Sequence, residues 1–80
     1  MQRVMLRGRA VYEVLARRNL SQNALAMQLG VSPSYMSQLL RGLRCPGPLL
    51  RPRIQAAPSL RHLAFEDLFE LVESNHRGAA

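Results

Sequence analysis

The sequence predicts an all-α domain of five short helices. Three observations carry this. Apolar residues recur at three- and four-residue intervals along most of the chain. Residues that start and stop helices, such as Ser21, Gly30, Ser32 and Gly42, fall between those periodic stretches. Strand signals are weak, because β-branched residues are few and no alternating run is bounded by hairpin turns.

The first helix is expected over Val4 to Arg18, where Met5, Leu6, Ala10, Val11, Val14 and Leu15 fall at helical spacing. Asn19 closes it, since asparagine tolerates the left-handed conformation of a helix end. Ser21 supplies an N-cap oxygen for a second helix from Gln22 to Leu29, and Gly30 ends that one. Ser32 caps the third helix, with Pro33 at its first position, where a missing N–H costs nothing. Gly42 stops it after Arg41. The Cys-Pro-Gly-Pro run makes Leu43 to Pro48 a loop. A fourth helix covers part of Leu49 to Ala57 and either starts near Arg51 or is distorted there, because Pro52 is tolerated only in a first turn. Pro58 ends it, and Ser59 to Ala64 is a connector. The fifth helix is expected from Phe65 to Ser74, with Glu66 and Asp67 in its first turn, where the helix dipole favours negative charge. Eighty residues make one domain, placed at 1–74, with a frayed tail at 75–80.

The second and third helices, joined by a short turn containing Gly30, form a helix-turn-helix. Leu25, Leu29, Val31, Met36 and Leu39 are spaced to meet under the turn, and Ala26 is small where the two helices cross. These steric requirements are met together, which makes the motif specific.

Leu20-Ser21-Gln22 at the start, Leu29-Gly30-Val31-Ser32 in the turn and Arg41-Gly42 at the end resemble the lambda-repressor and Cro-type helix-turn-helix family, also called the xenobiotic-response-element family. The five-helix order and Phe65-Glu66-Asp67-Leu68-Phe69 resemble it too, so the likeness covers about residues 4–73. Three features depart from the family pattern: Pro33 where a polar base-reading side chain is common, Pro52 in the fourth helix, and the long Pro58–His62 link. The resemblance implies a compact five-helix fold whose third helix, about Ser32 to Arg41, enters the major groove of double-stranded DNA. Met36 and Leu39 are core, so Pro33, Ser34, Ser37 and Gln38 are the expected base readers. Gln38 can pair with adenine N6 and N7, Ser34 with several base edges, and Pro33 with a thymine methyl. Gln22, at a helix N-terminus, is expected on a phosphate. Tyr35, Arg41 and Arg44 flank the reading face and are expected on the DNA backbone. As solvated helix residues, these side chains would carry no such role.

Charge agrees with a polyanionic partner. The chain has eleven basic residues against five acidic ones, a net charge of +6, and every basic residue is arginine. All-arginine usage fits either GC-rich codons or selection for planar phosphate and guanine recognition. Residues 1–65 hold ten arginines and one acid, Glu13, giving +9, while residues 66–80 hold four acids and Arg77, giving −3. The acidic end is therefore expected to face away from phosphate.

Other classes find little support. Cys45 is alone, so no intramolecular disulfide forms and a reducing cytoplasm fits. Cys45, His62 and His76 are spaced by seventeen and fourteen positions, which matches no compact metal-ligand pattern. Glu66 and Glu70 share a helix face without a visible pocket. No nucleophile–base set or phosphate-binding glycine loop is present, so neither catalysis nor a cofactor is expected. No signal peptide or membrane span is visible.

The expected function is thus a cytoplasmic, non-enzymatic transcriptional regulator, in the simplest case a repressor, without a separate ligand-sensing domain. Two alternatives stand beside it: an antitoxin-type protein that binds a protein toxin and its own operator, and a helix-turn-helix adaptor that binds only protein. A homodimer is expected, because one module buries too little surface for tight specific binding. The fifth helix offers the surface, with Leu68 and Val72 turned inward and Phe69 and Leu71 toward the partner. The alternative is that all its apolar residues are core.

Overall fold

The computed structural model describes residues 2–73. Among them the order is β1 (Gln2–Leu6), α1 (Gly8–Arg17), α2 (Gln22–Leu29), α3 (Pro33–Leu40), α4 (Leu50–Ala56), α5 (Phe65–Leu68) and β2 (Phe69–Glu73). The five expected helices are present, but the domain is not all-α. β1 and β2 form an antiparallel two-stranded sheet that joins the two ends of the described chain.

Three helices end in the same way. α1 closes on Asn19 at φ 54°, α2 on Gly30 at φ 72° and α3 through Gly42 at φ 77°. In each case the next residue's N–H reaches back to a carbonyl of the last turn: Leu20 to Leu15 at 2.9 Å, Val31 to Ala26 at 3.0 Å, and Leu43 to Gln38 at 2.9 Å. This left-handed closure satisfies carbonyls that would otherwise lack donors. α2 and α3 also start as the sequence implies. The Ser21 hydroxyl accepts from the Ala24 N–H at 3.0 Å and the Ser32 hydroxyl from the Tyr35 N–H at 3.1 Å.

Under these helices lies one core, formed by Leu6, Val11, Leu15, Leu25, Ala26, Leu29, Met36, Leu39, Leu40, Ile54, Ala57, Leu60, Leu68 and Phe69. Ala26 is 1% exposed where α2 meets its neighbours, so a larger side chain has no room there. α4 carries Pro52 as its third residue, still in the first turn. The chain after Pro58 is more than a link. Leu60 is fully buried, and the buried Ser59 hydroxyl donates to Gln28 Oε1 on α2 at 2.9 Å.

Both ends of the helical array differ from the sequence expectation. Val4 to Leu6 do not extend α1, which starts at Gly8. A β-carbon at Gly8 would overlap the Leu40 carbonyl oxygen, so the chain passes α3 in close contact and bends at Arg7. The fifth helix is a single turn, and Phe69 has extended angles of φ −130° and ψ 156°. Residues 69–73 pair with residues 2–6, Leu6 facing Phe69 and Val4 facing Leu71. Phe, Leu and Val suit a pleated strand as well as a helix, and a strand partner more than sixty positions away decides between them.

Arg7 stitches this junction. Its backbone N–H donates to the Leu68 carbonyl at 2.7 Å. Its Nε lies 2.9 Å from the Glu66 carbonyl oxygen and 3.1 Å from that of Phe69. One guanidinium thus serves the carbonyls at the end of α5, and its Nη1 pairs with the Glu70 carboxylate at 3.3 Å.

The expected partner-facing role of Phe69 is corrected by this arrangement. Phe69 is 1% exposed and stacks with Phe65 at a centroid distance of 4.8 Å. It is core because it follows the helix as a strand residue and points the same way as its cross-strand neighbour Leu6. Leu71 stays outside at 57% exposure, and Val72 is half-buried. Ser74 and the tail at 75–80 lie outside the described residues.

Candidate nucleic-acid interface

α3 has two sides. Met36, Leu39 and Leu40 are buried on one. On the other lie Ser34 and Arg41, both exposed, and Ser37 and Gln38, both half-buried. Pro33 is exposed at the start of the helix. The polar side chains expected to read bases therefore share an accessible helix face, and the apolar ones hold that helix on the core. A helix fixed this way presents its side chains from a rigid base.

α2 supplies the second part. Ser21 caps it, and Gln22 is its first residue, half-buried. A capped helix N-terminus carries partial positive charge and directs backbone N–H groups outward, which suits a phosphate. The Tyr12 hydroxyl donates to Gln22 Oε1 at 3.3 Å. That bond turns the Gln22 amide so that its NH2 group is left for an acceptor. Tyr12 was not singled out by the sequence. It sits on α1, ten positions away, and no local pattern links the two.

Arg44 returns over the same face. Its Nε donates to Gln38 Oε1 at 3.0 Å, and its guanidinium carbon lies 6.0 Å from the centre of the Tyr35 ring. The left-handed turn at Gly42 brings Arg44 back against the helix it has just left. Gln38, Arg44 and Tyr35 form one cluster, while Arg41 stands exposed at the helix end.

Electrostatically, the unit is uncompensated. No Asp or Glu occurs between Glu13 and Glu66, so the helix-turn-helix contains no acid of its own. The Arg7–Glu70 pair lies at the strand junction with α5. Arg18 and His62 approach at 3.3 Å on another part of the surface. Among the described residues, no three His, Cys, Asp or Glu side chains gather as metal ligands, and no helix is long and apolar enough to cross a membrane.

Comparison with known proteins finds the same helix-turn-helix in the sequence. The helix-turn-helix family model HTH_3 matches residues 11–50, from α1 into α4. An uncharacterised HTH-type transcriptional regulator of Bacillus subtilis (strain 168), YvzC, is 35% identical over 68 residues, covering 85% of this chain and 84% of the relative. No solved structure matches. With the capped α2–turn–α3 unit, its family match and a relative aligned over most of both chains, the protein belongs to the lambda-repressor/Cro-type helix-turn-helix family.

Proposed function

We propose that this protein is a sequence-specific, double-stranded DNA-binding transcriptional regulator, and that it is not an enzyme. The observation that carries the reading is the accessible polar face of α3, standing beside the capped N-terminus of α2 in a stretch without acids. Ser34, Ser37 and Gln38 contact base edges in the major groove, and Pro33 offers an apolar surface. Gln22, Tyr35, Arg41 and Arg44 meet the phosphate backbone. Repression is the simplest outcome, since occupancy of a promoter is enough to block it. The protein acts in the cytoplasm, where its DNA target is found.

The protein works as a symmetric homodimer, since two copies place two α3 helices about 34 Å apart on a palindromic site. Support for a partner surface lies in the β1–β2 ribbon. A two-stranded ribbon alone is only marginally stable. Leu6 and Phe69 anchor one end of it in the core, while the paired residues Val4 and Leu71 continue that apolar face beyond it.

Selection from random-sequence duplex DNA tests the function. The expected result is a palindromic motif bound tightly at moderate salt. Recovery of no enriched sequence, with equal binding to any duplex, would replace the reading with non-specific association.

A further inference from the structure

We infer that Arg44 is a specificity-determining positioning residue that sets which way the Gln38 amide faces the DNA. This rests on the proposal that α3 reads bases. It goes beyond it by giving Arg44 a task other than phosphate binding.

A glutamine amide is ambiguous as a reader. Its oxygen accepts and its NH2 donates, and a free amide rotates to present either end. With both ends available it fits adenine, accepting from N6 and donating to N7. In this protein the oxygen is engaged. Arg44 Nε donates to Gln38 Oε1 at 3.0 Å, a charge-assisted bond stronger than one between neutral groups. The Tyr35 ring, 6.0 Å from the guanidinium carbon, helps hold Arg44 in that place. The donor end of Gln38 is left for the groove.

A donor-presenting amide selects a base edge rich in acceptors. Guanine offers N7 and O6 in the major groove, whereas the adenine N6–H2 donor must share the Gln38 oxygen with the Arg44 guanidinium, donor against cationic donor. The structure therefore assigns guanine, not adenine, to the position read by Gln38. The Nη groups of Arg44 remain free to meet the adjacent phosphate or a second acceptor. The same device recurs at the other glutamine of the interface. There the Tyr12 hydroxyl holds Gln22 Oε1 at 3.3 Å and leaves its NH2 group for a phosphate.

Duplex selection on four full-length proteins tests this: the wild type, Gln38→Ala, Arg44→Ala and Arg44→Lys. Gln38→Ala identifies the base position concerned by flattening it. At that position the wild type is expected to enrich guanine over adenine by about tenfold or more. Arg44→Ala releases the amide, and the preference moves toward adenine. Arg44→Lys keeps the charge but puts a methylene where Nε was, so it retains the salt dependence of binding and still loses the guanine preference. The inference is overturned if both Arg44 variants keep the wild-type base preference and merely bind every sequence more weakly. It is also overturned if the wild type prefers adenine there. A wild type that enriches no sequence removes the DNA-reading proposal itself, and this inference with it. Thermal melts of the variants exclude unfolding as the cause, since Arg44 is exposed and Gln38 contributes no buried apolar group.

Discussion

Gly8 touches the backbone of Leu40 so closely that a β-carbon on Gly8 would fall on the Leu40 carbonyl oxygen. This contact fixes the start of α1 against the end of α3, and so fixes α3 on the domain. Gly8→Ala must push the two segments apart and is expected to cost about 1–3 kcal/mol or more. Gly47→Ala is the control. A β-carbon there meets nothing within 4 Å, and the change should stay within about 0.5 kcal/mol. Urea unfolding of the two variants measures both. Equal stability would mean that α1 and α3 are not in close contact.

Ser32 holds the start of α3 through its bond to the Tyr35 N–H at 3.1 Å. Ser32→Ala leaves that donor without its cap and is expected to lose about 1 kcal/mol, whereas Ser32→Asp keeps an acceptor and retains most of the stability. In a domain of this size such a loss lowers the melting temperature by roughly 4–8 °C. An unchanged melting temperature for Ser32→Ala would show that the cap does not secure the helix.

Phe69 and Leu71 are two positions apart on β2 and should behave oppositely. Phe69→Ala empties a core site and is expected to cost about 3–5 kcal/mol, a large part of the total stability of roughly 5–15 kcal/mol. Leu71→Asp alters an exposed position, so the folded chain should persist while the proposed dimer dissociates. Sedimentation at micromolar concentration, combined with circular dichroism, separates the two outcomes. A Leu71→Asp protein with wild-type sedimentation would take the β1–β2 ribbon out of the dimer contact.

Binding to duplex DNA should weaken steeply with salt. If a dimer neutralises about six to eight phosphates, log K falls against log salt with a slope of about −5 to −7. If Arg41 meets a phosphate as proposed, Arg41→Ala should make that slope shallower by about 2 for the dimer. A titration that stays flat between low and moderate salt would exclude a phosphate-dominated interface.

Much of the helix-turn-helix scaffold was legible because its determinants are local. Ser21 and Ser32 cap helices that begin at the next residue. Gly30 and Gly42 close helices with φ values only glycine adopts freely. Each is recognised from a residue type at a fixed distance from an apolar run. Leu25, Leu29, Met36 and Leu39 are buried as their spacing implies, and the exposed side of α3 follows from them. The pairings that orient the two glutamines were not legible. Tyr12 reaches Gln22 across two helices, and Arg44 reaches Gln38 around a left-handed turn. Neither pair has a spacing that marks it as a contact in a linear chain.

By itself the sequence determined the helix-turn-helix, its caps, its core-facing positions and the charge asymmetry along the chain. These depend on hydrogen bonds and side-chain periodicity within a few residues. Only the tertiary structure decided the fate of the two ends. Val4 to Leu6 and Phe69 to Val72 have compositions compatible with helix or strand. Pairing between segments more than sixty positions apart, held by Arg7 and by the Leu6–Phe69 contact, made them strands. That pairing buried Phe69 and left Leu71 outside. Strand pairing takes its hydrogen-bond partners from a distant part of the chain, so no local signal carried it, whereas a helix finds its partners four residues away.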